Sequence, residues 1–393
     1  MKLDKLCILF TDGDWIESKD QSDSGIRLIQ TGNIGNGEFL YKNDKAKYIS
    51  VDTFKRLNCK EVFPNDILVS RLPEPVGRGC IIPDIGEKMI TAVDCTICRI
   101  NENLVDRKYF CYFLESNAYK TQLEQHVTGT TRKRISRKNL SSVEIDIPEQ
   151  AKQKEVVYKL DRLKKIIQNY NRELDLLDEL VRARFVEMFG DPVINSCQFP
   201  VQPMTDICDI IDGDRGKNYP KSEEILDDGY CLFLNAKNVT QKGFDFENCN
   251  FITREKDDAL RNGKLSRGDV VLTTRGTVGN LAYYSKNVPY ENIRINSGMV
   301  ILRMNRSILN EIYFIELFKM KLSDIKEKIA SGSAQPQLPI STMNKIILMI
   351  PPLELQNQFA SFVKEIDKSR SRIQKSLEAS QELFDSLMQE YFG

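Results

Sequence analysis

The densest positive charge in the chain is Arg132-Lys133-Arg134-Ile135-Ser136-Arg137-Lys138, with five basic residues in seven. It follows Thr128-Gly129-Thr130-Thr131, a hydroxyl-rich turn. Arg and Lys neutralise phosphates, while Thr hydroxyls and exposed backbone N–H groups position them, so the chemistry on offer is polyanion binding. Gly129 recurs 203 residues later as Gly332, in Ser331-Gly332-Ser333-Ala334-Gln335-Pro336-Gln337. There amides replace the charge. Gln reads adenine edges bidentately and Arg reads guanine, so the two loops carry different base-reading chemistry. A second pair points the same way. Ser70-Arg71 ends one strand-like segment, and Thr273-Thr274-Arg275-Gly276-Thr277-Val278-Gly279 ends its match. A strand-end Arg beside glycines can reach into a groove while the backbone approaches phosphates. The DNA-contacting candidates are therefore Arg71, Thr130, Thr131, Arg132, Lys133, Arg134 and Lys138, with Arg275, Thr277, Ser333, Gln335 and Gln337 in the second copy. The bland alternatives are a solvated charge run at a helix start, and arginines paired with a neighbouring carboxylate such as Asp66 or Asp269.

Catalytic signatures are missing. The one histidine, His126, has Ile329 at its repeated position, so the symmetric place needs no imidazole. No phosphate-binding G-x-x-x-x-G-K-[ST] loop exists. Gly32, Gly35 and Gly37 read as a turn. Pro83-Asp84 with Glu87-Lys88 has the wrong spacing for a metal nuclease, and Asn287-Val288-Pro289-Tyr290 only has the outline of an amino-methylating motif. Cys95 and Cys98 form the one C-x-x-C, but they sit in a strand-like segment, where positions three apart face opposite sides. No second Cys/His pair completes a zinc set, so neither a metal nor a cofactor is expected on this chain, nor any catalytic residue.

Composition fits that picture. The 393 residues suit two or three domains, each with its own core. Lys and Arg number 56, and so do Asp and Glu. Zero net charge argues against a basic coat but leaves room for a local basic groove. The ten cysteines lack a framework and read as reduced core residues. No apolar run is long enough to span a membrane and no signal-peptide segment opens the chain, so a cytoplasmic location is the expectation.

The elements that must position these loops repeat as well. Ile147-Pro148 recurs as Ile350-Pro351, Gln153 as Gln356, and Phe189-Gly190 as Phe392-Gly393. A period of this size is domain-sized and predicts two similar globular units, each followed by a long helix. Short Val/Ile-rich strands separated by turns, such as Ile67-Leu68-Val69-Ser70 and Ile145-Asp146-Ile147, indicate a mixed α/β fold. A helix is predicted from Arg107 to about Glu124, with Tyr109, Phe113, Leu114 and Leu123 inward. Leu28–Ile34 pairs with Phe233–Val239, Tyr48-Ile49-Ser50 with Phe251-Ile252-Thr253, Asn65–Leu68 with Gly268–Val271, and Tyr109-Phe110 with Tyr313-Phe314.

From Gln150 to Phe189 the period turns helical. Val156, Leu160, Leu163, Ile167, Tyr170, Leu174, Leu177 and Val181 are spaced 4-3-4-3-4-3-4, a sustained heptad seam. Some 40 residues give a helix about 60 Å long. The second copy keeps the phase with Phe359, Val363, Ile366, Ile373, Leu377 and Phe384, and places polar Arg370 and Ser380 in the seam. Neither helix can bury its stripe alone. Two matched stripes in one chain predict an antiparallel coiled coil with a globular unit at each end, the alternative being two independent helices. The expected boundaries are 1–149, 150–190, 191–352 and 353–393.

At this level the chain resembles the DNA-specificity subunits of type I restriction–modification enzymes. The resemblance rests on Thr273–Gly279, on Gly332–Leu338, on Ile350-Pro351-Pro352-Leu353-Glu354 with Gln356, and on Phe189-Gly190-Asp191-Pro192. With the repeat it covers essentially the whole chain. It implies two target-recognition domains, each reading one half of a split double-stranded DNA site, with the helices fixing the gap. It also implies docking of two methyltransferase subunits, which carry S-adenosylmethionine and the chemistry, and of motor–nuclease subunits in the full complex. The first unit departs from the pattern: Arg71-Leu72-Pro73-Glu74-Pro75-Val76-Gly77 carries extra prolines, and Thr130-Thr131-Arg132 lacks the Gln-Pro-Gln run. Two other classes compete: a coiled-coil adaptor that binds protein, and an enzyme with an unrecognised methyltransferase or nuclease site.

Overall fold

The computed structural model describes residues 1–129, 133–330 and 337–393, and only the backbone of helix residues 323 and 327–330. The chain divides into two compact units, Met1–Arg172 with Gln374–Gly393, and Glu173–Ile373.

Each unit is built on the same four-stranded antiparallel sheet. In the first unit the order is Cys7–Asp12, Cys95–Ile100, Ile67–Ser70, Gly79–Ile81. In the second it is Cys208–Asp212, Met299–Met304, Val270–Thr273, Leu281–Tyr283. Ile67–Ser70 and Val270–Thr273 are buried at every position, as strands covered on both faces must be. Cys95 and Cys98 are both fully buried but belong to different core clusters on opposite faces of their strand. The repeat holds at the level of single hydrogen bonds. Ser50 and Thr253, the last residues of a matched triplet, both cap a short helix, accepting from Thr53 N at 3.0 Å and Lys256 N at 3.2 Å. Asp66 and Asp269 are buried and take a two-pronged contact from Arg99 and Arg303 respectively.

Two expectations are corrected. The helix after Arg107 is two helices, Arg107–Glu115 and Asn117–Glu124, because Ser116 leaves the helical region and caps the second one at Tyr119 N. Tyr109, Phe113, Leu114 and Leu123 are nonetheless all buried. Ile145-Asp146-Ile147 is not a strand. Its neighbour Glu144 makes a single bridge to Lys2, whereas the matching Ile347–Met349 pairs with Val201–Pro203 over three residues.

Both long helices are unbroken over 40 residues, Gln150–Phe189 and Leu353–Phe392. Each starts on a buried glutamine. Gln153 accepts from Asp106 N at 2.7 Å and donates to Pro148 O at 2.8 Å and Leu104 O at 3.3 Å. Gln356 accepts from Asn310 N at 2.8 Å and donates to Pro351 O at 2.8 Å and Ile308 O at 3.0 Å. The amide thus ties the first helical turn to the start of the helix on which Tyr109 or Tyr313 stands. The first helix stops at Gly190, whose positive φ of 73° suits glycine, and whose N–H closes on Val186 O at 2.8 Å.

Every expected seam residue is buried or half-buried. In the first unit Val156 and Leu160 pack with Phe384 and Met388, and Tyr109 meets Phe392 at 5.0 Å. In the second, Val181, Phe185 and Phe189 pack with Phe359 and Val363, and Phe185 meets Phe359 edge-on at 5.4 Å. One helix's first half therefore lies with the other's last half in one unit, and the reverse holds in the other unit, so the pairing is antiparallel. Leu163, Ile167, Tyr170, Leu174, Leu177, Ile366, Ile373 and Leu377 are only half-buried. Polar Arg370 in this stretch is satisfied by Asp178 at 2.7 Å. Among the described residues no helix is long and apolar enough to cross a membrane.

Candidate nucleic-acid interface

In the second unit the candidate site is a rigid tip on the end of Val270–Thr273. The Thr273 hydroxyl donates to the Thr277 carbonyl and accepts from Asn280 N at 2.9 Å. The Thr274 hydroxyl donates to Gly298 O at 3.0 Å. Gly279 has a φ of 97°, and a Cβ there would meet Leu322, so the turn is closed by a residue that must lack one. These ties leave Arg275, Gly276 and Thr277 as the exposed tip between buried neighbours. Leu338 N donates to Thr274 O at 3.0 Å, and Gln337 bridges to Arg275. The strand-end tip and the amide loop, about 60 residues apart in sequence, thus meet side by side. Arg275 and Gln337 line one shallow pocket of about 240 Å³ together with Arg215, Asp212, Thr274 and Ser341. Arg275 N donates to Gly298 O at 3.2 Å, while its side chain has no hydrogen bond or ion pair among the described residues, and the residue is exposed. The sequence reading missed Arg215, which reaches the pocket from the end of Cys208–Asp212 and pairs with Asp212 at 3.0 Å.

The first unit builds the same junction with other residues. Ile135 N donates to Arg71 O at 3.2 Å, as Leu338 N does to Thr274 O. The partner of Arg71 in the repeat is therefore Thr274, and Arg275 stands one residue further along. Arg71 is only 4% exposed. Its guanidinium donates to Val93 O at 2.6 Å and Ile135 O at 3.3 Å and lies 3.4 Å from Asp12. It anchors the loop from below and is not offered to a groove. Of the two carboxylates named as alternative partners, Asp66 and Asp269 each hold a different arginine, Arg99 and Arg303.

Above Arg71, Thr128 and Arg134 exchange backbone hydrogen bonds of 2.9 and 2.8 Å, closing the basic loop. Ser136 then caps the short helix Arg137–Ser141 by accepting from Asn139 N at 3.1 Å. Lys133, Arg134 and Lys138 are exposed. Arg134 lies 2.7 Å from Asp94, and Arg137 lies 3.8 Å from Asp12. Lys133 and Lys138 have no ion pair among the described residues, so they are uncompensated cations in the described part of the run. Thr130, Thr131, Arg132, Ser333 and Gln335 lie outside the described residues. Among the described residues no cluster of His, Cys, Asp and Glu could hold a metal. Several thiols are driven away from ionisation by burial, Cys59 and Cys95 to about 11 and Cys111 to about 12.

Comparison with known proteins gives the same assignment to both halves. The family model described as the type I restriction modification DNA specificity domain matches residues 1–178 and again 199–381. The MjaIX specificity subunit of a type I restriction enzyme from Methanocaldococcus jannaschii is 22% identical, over 94% of this chain and 86% of its own length. The MjaVIII specificity subunit of the same organism is also 22% identical, over 82% and 79%. Among solved structures, the S subunit of a type I restriction–modification system from M. genitalium superposes with a TM-score of 0.55 at 16% identity, covering all of this chain and 95% of that one. A chain from a study of complex assembly and conformational transition of the type I system has the same TM-score at 14% identity, covering all of this chain and 96% of that one. Two tandem matches on two copies of one loop junction have one reading: the chain belongs to the type I restriction–modification DNA-specificity family.

Proposed function

We propose that each unit of this DNA-specificity protein reads one half of a bipartite double-stranded site, and that the paired long helices set the gap between halves and dock two methyltransferase subunits. S-adenosylmethionine belongs to those partners, and motor–nuclease subunits complete the restriction complex. The chain itself is the recognition component and not the catalyst, as its family membership states. One observation carries the bipartite reading: a single backbone junction occurs twice with different exposed side chains. Arg275 and Gln337 crown it in the second unit, and Lys133, Arg134 and Lys138 in the first. A scaffold kept constant while its outward residues diverge is what reading two different half-sequences requires. Arg and Gln at the second junction suit bidentate contacts to guanine and adenine edges. The basic first junction suits phosphates.

The test is methylated-motif mapping in cells carrying the wild-type gene, no gene, or the Gln337→Ala variant. Loss of one split motif on deletion, with relaxation inside only one of its halves in Gln337→Ala, is the expected result. Equal loss of binding to every sequence in Gln337→Ala would make that junction a phosphate clamp and sink the base-reading role.

A further inference from the structure

Trp15 is the only tryptophan of the chain and stands 70% exposed. It is held on a firm platform. Asp12-Gly13-Asp14 precedes it, and the same triplet, Asp212-Gly213-Asp214, precedes Arg215 in the second unit. In both copies the glycine runs against main chain, where a Cβ would strike the carbonyls of Thr91 and Ala92, or of Asn296. Gly13 N donates to Cys95 O and Asp14 N to Thr91 O, both at 2.9 Å. The Asp14 carboxylate accepts from Lys60 N at 2.7 Å, and the Asp214 carboxylate from Gly216 N and Arg261 N at 2.7 Å each. Asp12 faces Thr96 across the sheet, and Asp212 faces Val300 in the matching register. Trp15 and Arg215 therefore occupy the same place in the repeated fold.

That place is defined in the second unit, where Arg215 lines the pocket that holds Arg275 and Gln337. In the first unit Asp12, three residues before Trp15, is reached by Arg71 at 3.4 Å and Arg137 at 3.8 Å. Arg137, toward the end of the basic run, thus reaches the end of the strand that leads into Trp15. A large aromatic left in water beside cationic loops has no role in the core, and its platform keeps the entropy cost of using it low. Its one donor is occupied, since the indole N–H donates to Glu17 Oε1 at 3.4 Å. What remains is apolar surface.

We propose, resting on the reading that this face binds DNA, that Trp15 is a base-contacting residue of the first unit, packing its indole against a thymine methyl in the major groove. The methyl is the one apolar feature by which the groove distinguishes base pairs. Arg215 occupies the equivalent position in the second unit and offers a guanidinium there instead. The two halves differ in chemistry at a position that no family motif quoted above includes.

The single tryptophan makes the test direct. The full-length chain is titrated with a duplex carrying the mapped methylation site and with a scrambled duplex of equal length, and tryptophan emission and gel shift are followed in parallel. Emission should shift to the blue and saturate together with the gel shift on the site duplex. Trp15→Ala should weaken site binding about tenfold, the scale of one lost base contact, and leave scrambled-duplex binding unchanged. Trp15→Phe should recover most of the loss. Deoxyuridine placed singly for each thymine of the first half-site deletes only the methyl. One position should weaken wild type and leave Trp15→Ala unaffected. An unmoved emission with a normal gel shift, and full affinity in Trp15→Ala, would overturn the proposal and leave the DNA reading standing. Loss of methyltransferase co-purification in Trp15→Ala, with DNA binding intact, would make the indole a protein contact. Failure of wild type to bind the site duplex, alone and with its methyltransferase partner, would sink the DNA reading and this proposal with it.

Discussion

Removing Lys133 and Lys138 together tests whether the basic loop of the first unit lies on phosphates. Both side chains are exposed and have no hydrogen bond or ion pair among the described residues, so no such partner there is stranded on truncation. Each phosphate contact contributes a slope of about −0.9 in log affinity against log salt. Two contacts amount to a slope of about −1.8, so over a fourfold rise in salt, from about 50 to 200 mM, wild type should lose roughly twelvefold more affinity than the double Ala variant. Arg134 should behave differently. It lies 2.7 Å from Asp94, with side chains 49% and 29% exposed. Arg134→Ala unmasks a carboxylate beside the polyanion, and Asp94→Ala in the same chain should restore most of the binding. Because such exposed pairs contribute only about 0–1 kcal/mol to folding, stability should hardly change in any of these variants. The assay is fluorescence anisotropy of a labelled duplex across a salt series, with thermal denaturation alongside. An unchanged slope in the double Lys variant would show that the loop faces away from DNA. Failure of Asp94→Ala to rescue Arg134→Ala would place Arg134 itself on a phosphate.

Further outcomes follow from the packing. Leu160→Ala and Phe359→Ala, at fully buried seam ends, should each cost about 2–5 kcal/mol, whereas Leu174→Ala, in the half-buried middle, should cost well under 2, measured by denaturant unfolding. Gln153→Ala and Gln356→Ala each strand a part-buried backbone N–H and two carbonyls and should cost about 1–3 kcal/mol in the same assay; a neutral result would remove the glutamine from its anchoring role. The buried thiols of Cys59, Cys95 and Cys111 ionise only well above the ordinary thiol range, so their contribution to stability is full below about pH 8.5 and should be lost as pH rises from there toward 11–12, which denaturant midpoints at rising pH would register. Exposed Cys197 should react with a thiol reagent far faster than these three in the native chain, read by mass spectrometry.

The long helices were legible because a heptad seam is a one-dimensional signal: hydrophobic spacing alone fixes which face is buried, and Gly190 marks where the first helix stops. The depth of burial was not. The spacing treats Leu160 and Leu174 alike, yet Leu160 is fully buried among the aromatic residues of its unit while Leu174 is half-exposed. The repeat identified Gln153 and Gln356 as recurring residues but could not say that each makes three hydrogen bonds. Ser116 broke a segment whose apolar pattern looks continuous, because a serine that caps competes with one that stays helical and only tertiary context decides. The amide and strand-end loops were found separately, and nothing in their spacing placed Arg275 beside Gln337.

Arg71 shows why site residues are harder to read than elements. An arginine at a strand end beside a basic loop has two uses: reaching outward, or holding the loop from beneath. Residue type and neighbours are the same in both. Burial decides it, and burial depends on the loop that returns more than 60 residues later to bring Ile135 over the guanidinium. In the second unit Thr274 does the holding with a hydroxyl to Gly298, and the arginine moves one position on to become the exposed tip. A shift of one residue thus converts a brace into a reader. Because successive side chains leave an extended segment on opposite sides, such a shift leaves the backbone junction intact while changing what it presents. That gives a duplicated scaffold a simple route to two specificities: hold the junction constant, and let the residues that face outward exchange roles around it.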